Sequence, residues 1–311
     1  MLTYERLKMK PHQFQSFTGI RVNEFEKILE RAQDGYKHFE QKRLGGRKRT
    51  RKIGAGRHFK LSLENRILLA LVHLRLNLTS TVMSYLFDLD ESNVSRNIAL
   101  IKGLLNGELP EPAKLMAAQK KINSVEELFQ LYPDLKAIVD GTEQAIQRPK
   151  DRERQKAYYS GKKKRHTIKT QIITNLDGLI VDCAPAVEGR RHDFKVFEET
   201  QALTETIPKE VTVLADSGYQ GAQNGQPAGK VQLPKKATKL HPLSQEEKAS
   251  NRALSQVRVK VEHAIGRMKH FKILSERFRH RLSSYDDTFS VVAGLVNFMR
   301  IERLSLSIPG W

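Results

Sequence analysis

Val211-Thr-Val-Leu-Ala-Asp-Ser-Gly-Tyr219 reads as a short strand that ends abruptly on an acid. β-Favouring residues run into Asp216, and Ser217-Gly218 breaks the strand, so this carboxylate is expected where a sheet opens to solvent. A second apolar run, Leu135 to Val139, delivers Asp140 to Gly141 in the same way. A third acid, Glu262, sits in a stretch where Val257, Val261, Ile265 and Met268 recur at helical spacing and should face the sheet. Arg258, Glu262 and Lys269 share the neighbouring face of that helix. Acids on adjacent parallel strands meet at one sheet edge, and like charges that close are costly unless a cation intervenes. The order Asp, Asp, Glu, on elements able to aim inward, suits divalent-metal phosphodiester chemistry. Each acid alone has a plainer account. Aspartates end strands by accepting turn hydrogen bonds, and Glu262 four residues from Arg258 makes an ordinary helical ion pair.

Charge narrows the partner. The chain has 311 residues, and 54 Lys and Arg against 35 Asp and Glu leave a formal charge of +19. Such an excess attracts polyanions and gives binding that weakens steeply with salt, so nucleic acid is the expected partner. Cys183 is the only cysteine, which excludes an intrachain disulfide and a cysteine-rich zinc cluster and points to a reducing compartment. The first residues are not a basic segment followed by an apolar run, and Ile67 to Leu76 is interrupted by His73 and Arg75. Neither secretion nor membrane insertion is expected.

The chain divides into three stretches. Residues 1–60 hold an amphipathic helix over Gly19 to Tyr36 and then a glycine-interspersed basic segment from Lys42 to Lys60. Arg47, Lys48, Arg49, Arg51 and Lys52 are candidate contacts to DNA phosphates or a minor groove; a solvated linker has the same composition. Residues 61–110 predict three helices, Leu63 to Leu76, Ser80 to Phe87 and Ser92 to Leu105, patterned as a helix-turn-helix. Val94, Ile98, Ile101 and Leu105 form the buried stripe of the third, leaving Asn93, Arg96 and Asn97 to reach base edges. A domain boundary is expected over Pro110 to Asn123. Residues 124–311 then predict a mixed α/β layer. Strands are expected at 135–139, 166–175, 179–184 and 211–215, with a hairpin at Asp177-Gly178 and a helix from Asp193 to Glu199. A capping box at Ser244 opens the helix of Glu262, and a last apolar helix follows Asp286 and Asp287.

Asp140-Gly-Thr-Glu143, Tyr158-Tyr-Ser-Gly-Lys-Lys-Lys-Arg-His166, Gly189-Arg-Arg-His-Asp193, Leu214-Ala-Asp-Ser-Gly-Tyr-Gln-Gly221 and the segment from Arg258 to Lys269 resemble the DDE transposases of bacterial IS5-type insertion sequences. These lie close to the eukaryotic Harbinger type, and the similarity extends over nearly the whole chain. The resemblance implies an RNase H-like catalytic domain whose triad is Asp140, Asp216 and Glu262, holding two Mg²⁺ ions for which Mn²⁺ can substitute. It matches Arg258, Glu262 and Lys269 to the signature around the glutamate, but the family's tyrosine position falls on Ser255. About 45 residues part Asp216 from Glu262, too few for a large inserted domain there. Lys162, Lys163, Lys164 and Arg165 form either a solvated loop or a clamp on the DNA strand being cut, and the resemblance favours the clamp. His192 and Asp193 either support the metal site from behind or simply start a helix. The implied function is binding of the element's terminal inverted repeats, metal-dependent cleavage and strand transfer into target DNA, by a homodimer on double-stranded DNA in the bacterial cytoplasm and nucleoid. A relative that only binds DNA, and an RNase H-like nuclease without strand transfer, remain as alternatives.

Overall fold

Lys136–Ala145 forms β1, the strand on which the sheet is built, with Ala137, Ile138 and Val139 all buried. Consecutive buried residues mean that both faces are covered. The computed structural model describes residues 1–45, 58–112, 129, 132–199, 211–222, 231–238 and 242–306. The remaining strands are β2 (Tyr159–Ser160), β3 (Arg165–Thr174), β4 (Ile180–Cys183), β5 (Val187–Glu188), β6 (Thr212–Leu214) and β7 (Val231–Gln232). β3 lies antiparallel to β1, from Ile138 opposite Thr174 to Ala145 opposite Thr167. β6 lies parallel on the other side, with Lys136, Ala137 and Ile138 opposite Thr212, Val213 and Leu214, and β7 follows parallel to β6. β4 pairs with β3, giving the spatial order β4, β3, β1, β6, β7. The layer is a mixed sheet, as expected, and Gly178 turns the predicted hairpin at φ 74°.

β1 runs past its expected end. It continues beyond Val139 to Ala145, so Asp140 sits inside the strand rather than at its tip. Gly141 does not stop it because β3 supplies a partner, Gln171, and its N–H donates to Asp140 Oδ1 at 2.8 Å.

The helices of the N-terminal half are α1 (Tyr4–Lys8), α2 (Pro11–Thr18), α3 (Val22–Gly45), α4 (Leu63–Leu76), α5 (Ser80–Phe87) and α6 (Glu91–Glu108). The helix expected from Gly19 begins instead at Val22, since Gly19 at φ 83° is the left-handed stop of α2. α3 then absorbs Lys42 and Arg43, the start of the expected flexible arm. Arg47, Lys48, Arg49, Arg51 and Lys52 lie outside the described residues. Asn77 and Asp88, both at φ 51°, end α4 and α5 where the sequence pattern places them.

In the second half, α7 (Arg152–Tyr158) and α8 (Asp193–Glu199) flank the sheet, and α9 (Gln245–Lys269) opens on the predicted capping box of Ser244 and Glu247. α10 (Lys272–Ser275) and the buried α11 (Tyr285–Leu304) complete the chain. One apolar cluster runs without a break from α1–α6 through α9–α11 to Ile138, Ile168, Ile172 and Leu214 on one face of the sheet. A second covers the opposite face, where Val139, Val181 and Val213 meet Phe197 and Tyr219. The helical half is therefore packed onto the mixed sheet and its helices. Buried Asn297 ties the two, donating to Pro110 O at 2.9 Å and to Ile180 O at 2.8 Å while accepting from Ile180 N.

Candidate active site

The parallel register of β1 and β6 decides the centre of the site. Ile138 lies opposite Leu214, so two residues further along Asp140 comes level with Asp216. Asp216 leaves β6 in extended backbone, and its Oδ1 accepts from Gly218 N at 2.7 Å, fixing the carboxylate at the turn. The Asp140 carboxyl is pushed up from an ordinary 3.8 to about 6. Burial is the main cause, and the charges of Asp216 and Asp193 add to it, against the Gly141 N–H and the Arg258 guanidinium.

Asp193 enters this centre by a route the glycines allow. A side chain at Gly189 would put its Cβ 2.7 Å from the Thr167 carbonyl oxygen, so only glycine lets the chain pass β3 there. Asp193 then opens α8, and its Oδ1 lies 2.9 Å from the buried Lys169 Nζ. Lys169 also donates to Arg191 O at 2.6 Å and stands 3.9 Å from Glu143 Oε1. A Cβ on Gly141 would lie 3.2 Å from Asp193 Oδ1, and one on Gly218 would lie 3.3 Å from Asp193 Oδ2. Two glycines thus make room for a third carboxylate between β1 and the turn after β6. Beneath it, the Tyr219 hydroxyl accepts from Gln171 Nε2 at 2.7 Å. His192 is exposed and takes no part. Lys169 was not singled out from the sequence, although a lysine amid β-branched strand residues signals a paired, buried cation.

Glu262 does not join the aspartates. α9 packs against β1 and β3 through Val261, Ala264 and Met268, with Val257 and Ile265 half-buried, as the spacing predicts. Arg258 acts on Asp140, and its Nε is buried without a hydrogen-bond partner. Lys269, half-buried, is in turn influenced by Asp140 and Glu143. Between them on the same face, Glu262 is exposed to solvent. Among the described residues no three Asp, Glu, His or Cys side chains are placed to hold a metal ion. Three carboxylates converging without a cation repel one another, so a solvated Glu262 is the lower-energy arrangement of the chain alone.

The basic turn lies beside this centre. Lys162, Lys163 and Lys164 turn the chain from β2 into β3, where Arg165 begins, and all four are exposed. Ser160 Oγ accepts from Lys163 N at 3.2 Å, and the Lys163 charge reaches Lys269. On α6, Arg96 is exposed and donates to Asn93 Oδ1 at 3.2 Å. Asn97 corrects the expected recognition surface, being buried against α4. Its Oδ1 accepts from Arg66 Nε at 2.9 Å and its Nδ2 donates to Asn93 O at 2.8 Å. A buried guanidinium demands such an acceptor, so Asn97 belongs to the packed stripe while Ile98 is only half-buried.

Residues 139–297 match the family of DDE superfamily endonucleases, and residues 59–111 match the helix-turn-helix of DDE superfamily endonucleases. A Microchaete diplosiphon protein assigned as transposase of insertion sequence element IS702 is 32% identical over 247 residues, 78% of this chain and 83% of that protein. A Streptomyces albus G protein assigned to element IS112 as its transposase is 29% identical over 225 residues, 72% of this chain and 75% of the relative. The transposase of element IS1106 of Neisseria meningitidis serogroup B is 35% identical over a shorter 95 residues, 29% of this chain and 31% of the relative. No solved structure matches the chain. Among the described residues no helix is long and apolar enough to cross a membrane. Asp140 and Asp216 lie within the span that matches, and the chain belongs to the DDE superfamily of endonucleases and transposases, with that family's helix-turn-helix ahead of the mixed sheet.

Proposed function

We propose that the protein is an IS5-type transposase that binds the ends of an insertion sequence, cuts them and joins them to target DNA. In this reading residues 1–60 and 61–110 bind DNA, and residues 124–311 form an RNase H-like catalytic domain. The observation that carries it is the parallel register that sets Asp140 beside Asp216. A carboxyl raised to about 6 chiefly by burial, with the charges of Asp216 and Asp193 adding to it, suits a hard divalent cation. Asp140 and Asp216 hold the ions, with Glu262 brought in from α9. When bound, Mg²⁺ or Mn²⁺ supplies the Lewis acidity that activates water or a 3′-hydroxyl and stabilises the leaving oxygen. Arg258 and Lys269 flank Glu262 and orient the scissile phosphate, while Lys162 to Arg165 hold the strand backbone. Arg96 and Asn93 face the groove from α6. Two ends are cut together, so a homodimer on DNA, acting in the bacterial cytoplasm and nucleoid, completes the reading.

The test is a supercoiled plasmid bearing the element's ends, incubated with Mg²⁺ and either wild type or Asp216→Asn. Cleavage by the wild type alone, with equal end binding by both, supports the reading; equal binding with no cleavage by either refutes it. The exposed Glu262 favours a second reading, a relative that only binds DNA, and that second outcome would establish it. Precleaved ends supplied with target DNA then separate transposase from nuclease, because only a transposase yields joined products.

A further inference from the structure

Arg267 lies on the opposite side of α9 from Arg258, Glu262 and Lys269, since nine residues at 100° each turn through half a circle. It does not face solvent freely. Its Nη2 donates to Gly178 O at 3.0 Å, and its Nε is buried with no hydrogen-bond partner. Burial pulls its pKa down to about 10, and the charges of Arg300 and Arg303 on α11 pull in the same direction. Arg300 Nε is held by the Asp177 carbonyl at 2.7 Å, and Arg75 at the end of α4 donates to the carbonyl of His270. With His12 on α2, these side chains line a cavity of roughly 440 Å³ at the seam between the N-terminal helices and the catalytic layer. Among the described residues, none of Arg75, Arg267, Arg300 and Arg303 makes an ion pair with a carboxylate, and Glu302, next to Arg303 in sequence, pairs with Lys27. Arg267 feels the charges of Arg300 and Arg303, Arg75 adds a fourth guanidinium to the same concavity, and a bound anion would relieve the cost of gathering them with no carboxylate partner among the described residues.

We propose that this cavity is a second, phosphate-binding site, which seats the DNA backbone at the seam between the helical half and the catalytic layer. Guanidinium forks match phosphate oxygens, and the net charge of +19 makes a polyanion the natural occupant. The assignment rests on the DNA-binding reading above, but its position on the far side of α9 separates it from the carboxylate centre. DNA engaged there would hold the helical half and the catalytic layer on one duplex.

The experiment measures binding of a labelled duplex carrying the element's end by the full chain, across a salt series. It compares wild type, Arg303→Gln, Arg300→Gln/Arg303→Gln and Arg300→Lys/Arg303→Lys. Arg303 is exposed and makes no side-chain hydrogen bond or ion pair among the described residues, so its replacement should leave folding intact. We expect the salt slope to fall by about 1 for the single variant and about 2 for the double glutamine variant, with the lysine pair close to wild type. Thermal unfolding with inorganic pyrophosphate is the second readout, and stabilisation of wild type but not of the double glutamine variant is expected. An unchanged slope with pyrophosphate stabilisation lost in the variant would overturn the DNA seat in favour of a small soluble phosphate. No change in either readout would overturn the site itself. Should wild type bind no duplex at all, the DNA reading fails, while a variant-sensitive pyrophosphate response still upholds an oxyanion pocket.

Discussion

The two sides of α9 present opposite electrostatic problems. Toward β1, Asp140, Asp216 and Asp193 crowd together, and the nearby cations Arg258 and Lys169 answer only part of their charge. Away from it, Arg267, Arg300, Arg303 and Arg75 gather with no carboxylate partner among the described residues. One side holds acids that neighbouring cations answer in part, and the other holds cations with no acid partner among the described residues. Folded chains normally pair such groups internally, because partly desolvated charge left uncompensated is costly. Two neighbouring sites left open with opposite sign fit a protein whose missing partners, metal and nucleic acid, arrive from outside.

The largest test of that contrast lies on the acid side. Asp140→Asn or Asp216→Asn should lower plasmid cleavage by on the order of 10³-fold or more while leaving duplex binding intact, because the loss falls on the chemical step. Equal loss of binding and cleavage would mean that the acids hold the fold rather than the chemistry.

Next comes the ion network behind the acids. Lys169→Met leaves Asp193 and Glu143 without their cation and should destabilise the protein by about 2–4 kcal/mol, somewhat below a fully buried pair because Asp193 keeps some exposure. Urea unfolding measures this, and Lys169→Met/Asp193→Asn should recover part of the loss. No recovery would show that Lys169 acts through packing alone.

A smaller effect follows from pH. The raised Asp140 pKa means that its proton favours the fold: that stability is fully present below about 3.8 and is lost as pH rises through about 6. Asp182, raised to about 6 by burial, has the same sign. Buried His73, lowered to about 3, is opposite, its contribution being present above 6.5 and lost as pH falls toward 3. At pH 8 without metal, Asp140→Asn should therefore unfold at a higher urea concentration than wild type, by on the order of 1–2 kcal/mol. Mg²⁺ should narrow the gap by stabilising wild type more. A variant less stable than wild type under metal-free conditions would remove the argument that burial and the neighbouring acids disfavour the Asp140 carboxylate.

The mildest test sharpens the contrast with a buried arginine held by side chains. Arg66 donates to Asn97 Oδ1 and to the Tyr36 hydroxyl, whereas Arg267 donates to a backbone carbonyl, that of Gly178. Asn97→Ala should cost about 1–3 kcal/mol of stability without changing the salt slope of DNA binding. Arg96→Ala should do the reverse, and a lowered slope for Asn97→Ala would return that residue to the recognition surface.

What the sequence disclosed follows from the range of the interactions involved. The bounds of α4 and α5 were legible because their stops, Asn77 and Asp88, are local backbone events. Asp140 and Asp216 were legible because an apolar run ending on an acid is itself local, and parallel pairing aligned them as expected. The full length of β1 was not, since only its pairing with β3 carries it through Gly141. Asn97 misled because its burial depends on Arg66, 31 residues away in sequence. Lys169 escaped notice because its partners Asp193 and Glu143 reach it only once β3 and α8 are in place. The arginine cavity draws on α2, α4, α9 and α11, and no single stretch announces it.

Gly141 and Gly218 leave one last consequence. A Cβ at Gly141 would press on Asp193 Oδ1 at 3.2 Å, whereas one at Gly218 would meet Asp216 Oδ1 at 2.9 Å and Asp193 Oδ2 at 3.3 Å. A methyl group placed from the strand would nudge one acid and another from the turn would nudge two, while removing no charged atom. Comparing such alanine variants would map how finely the spacing of the acids is tuned, something deletion of a carboxylate cannot reveal.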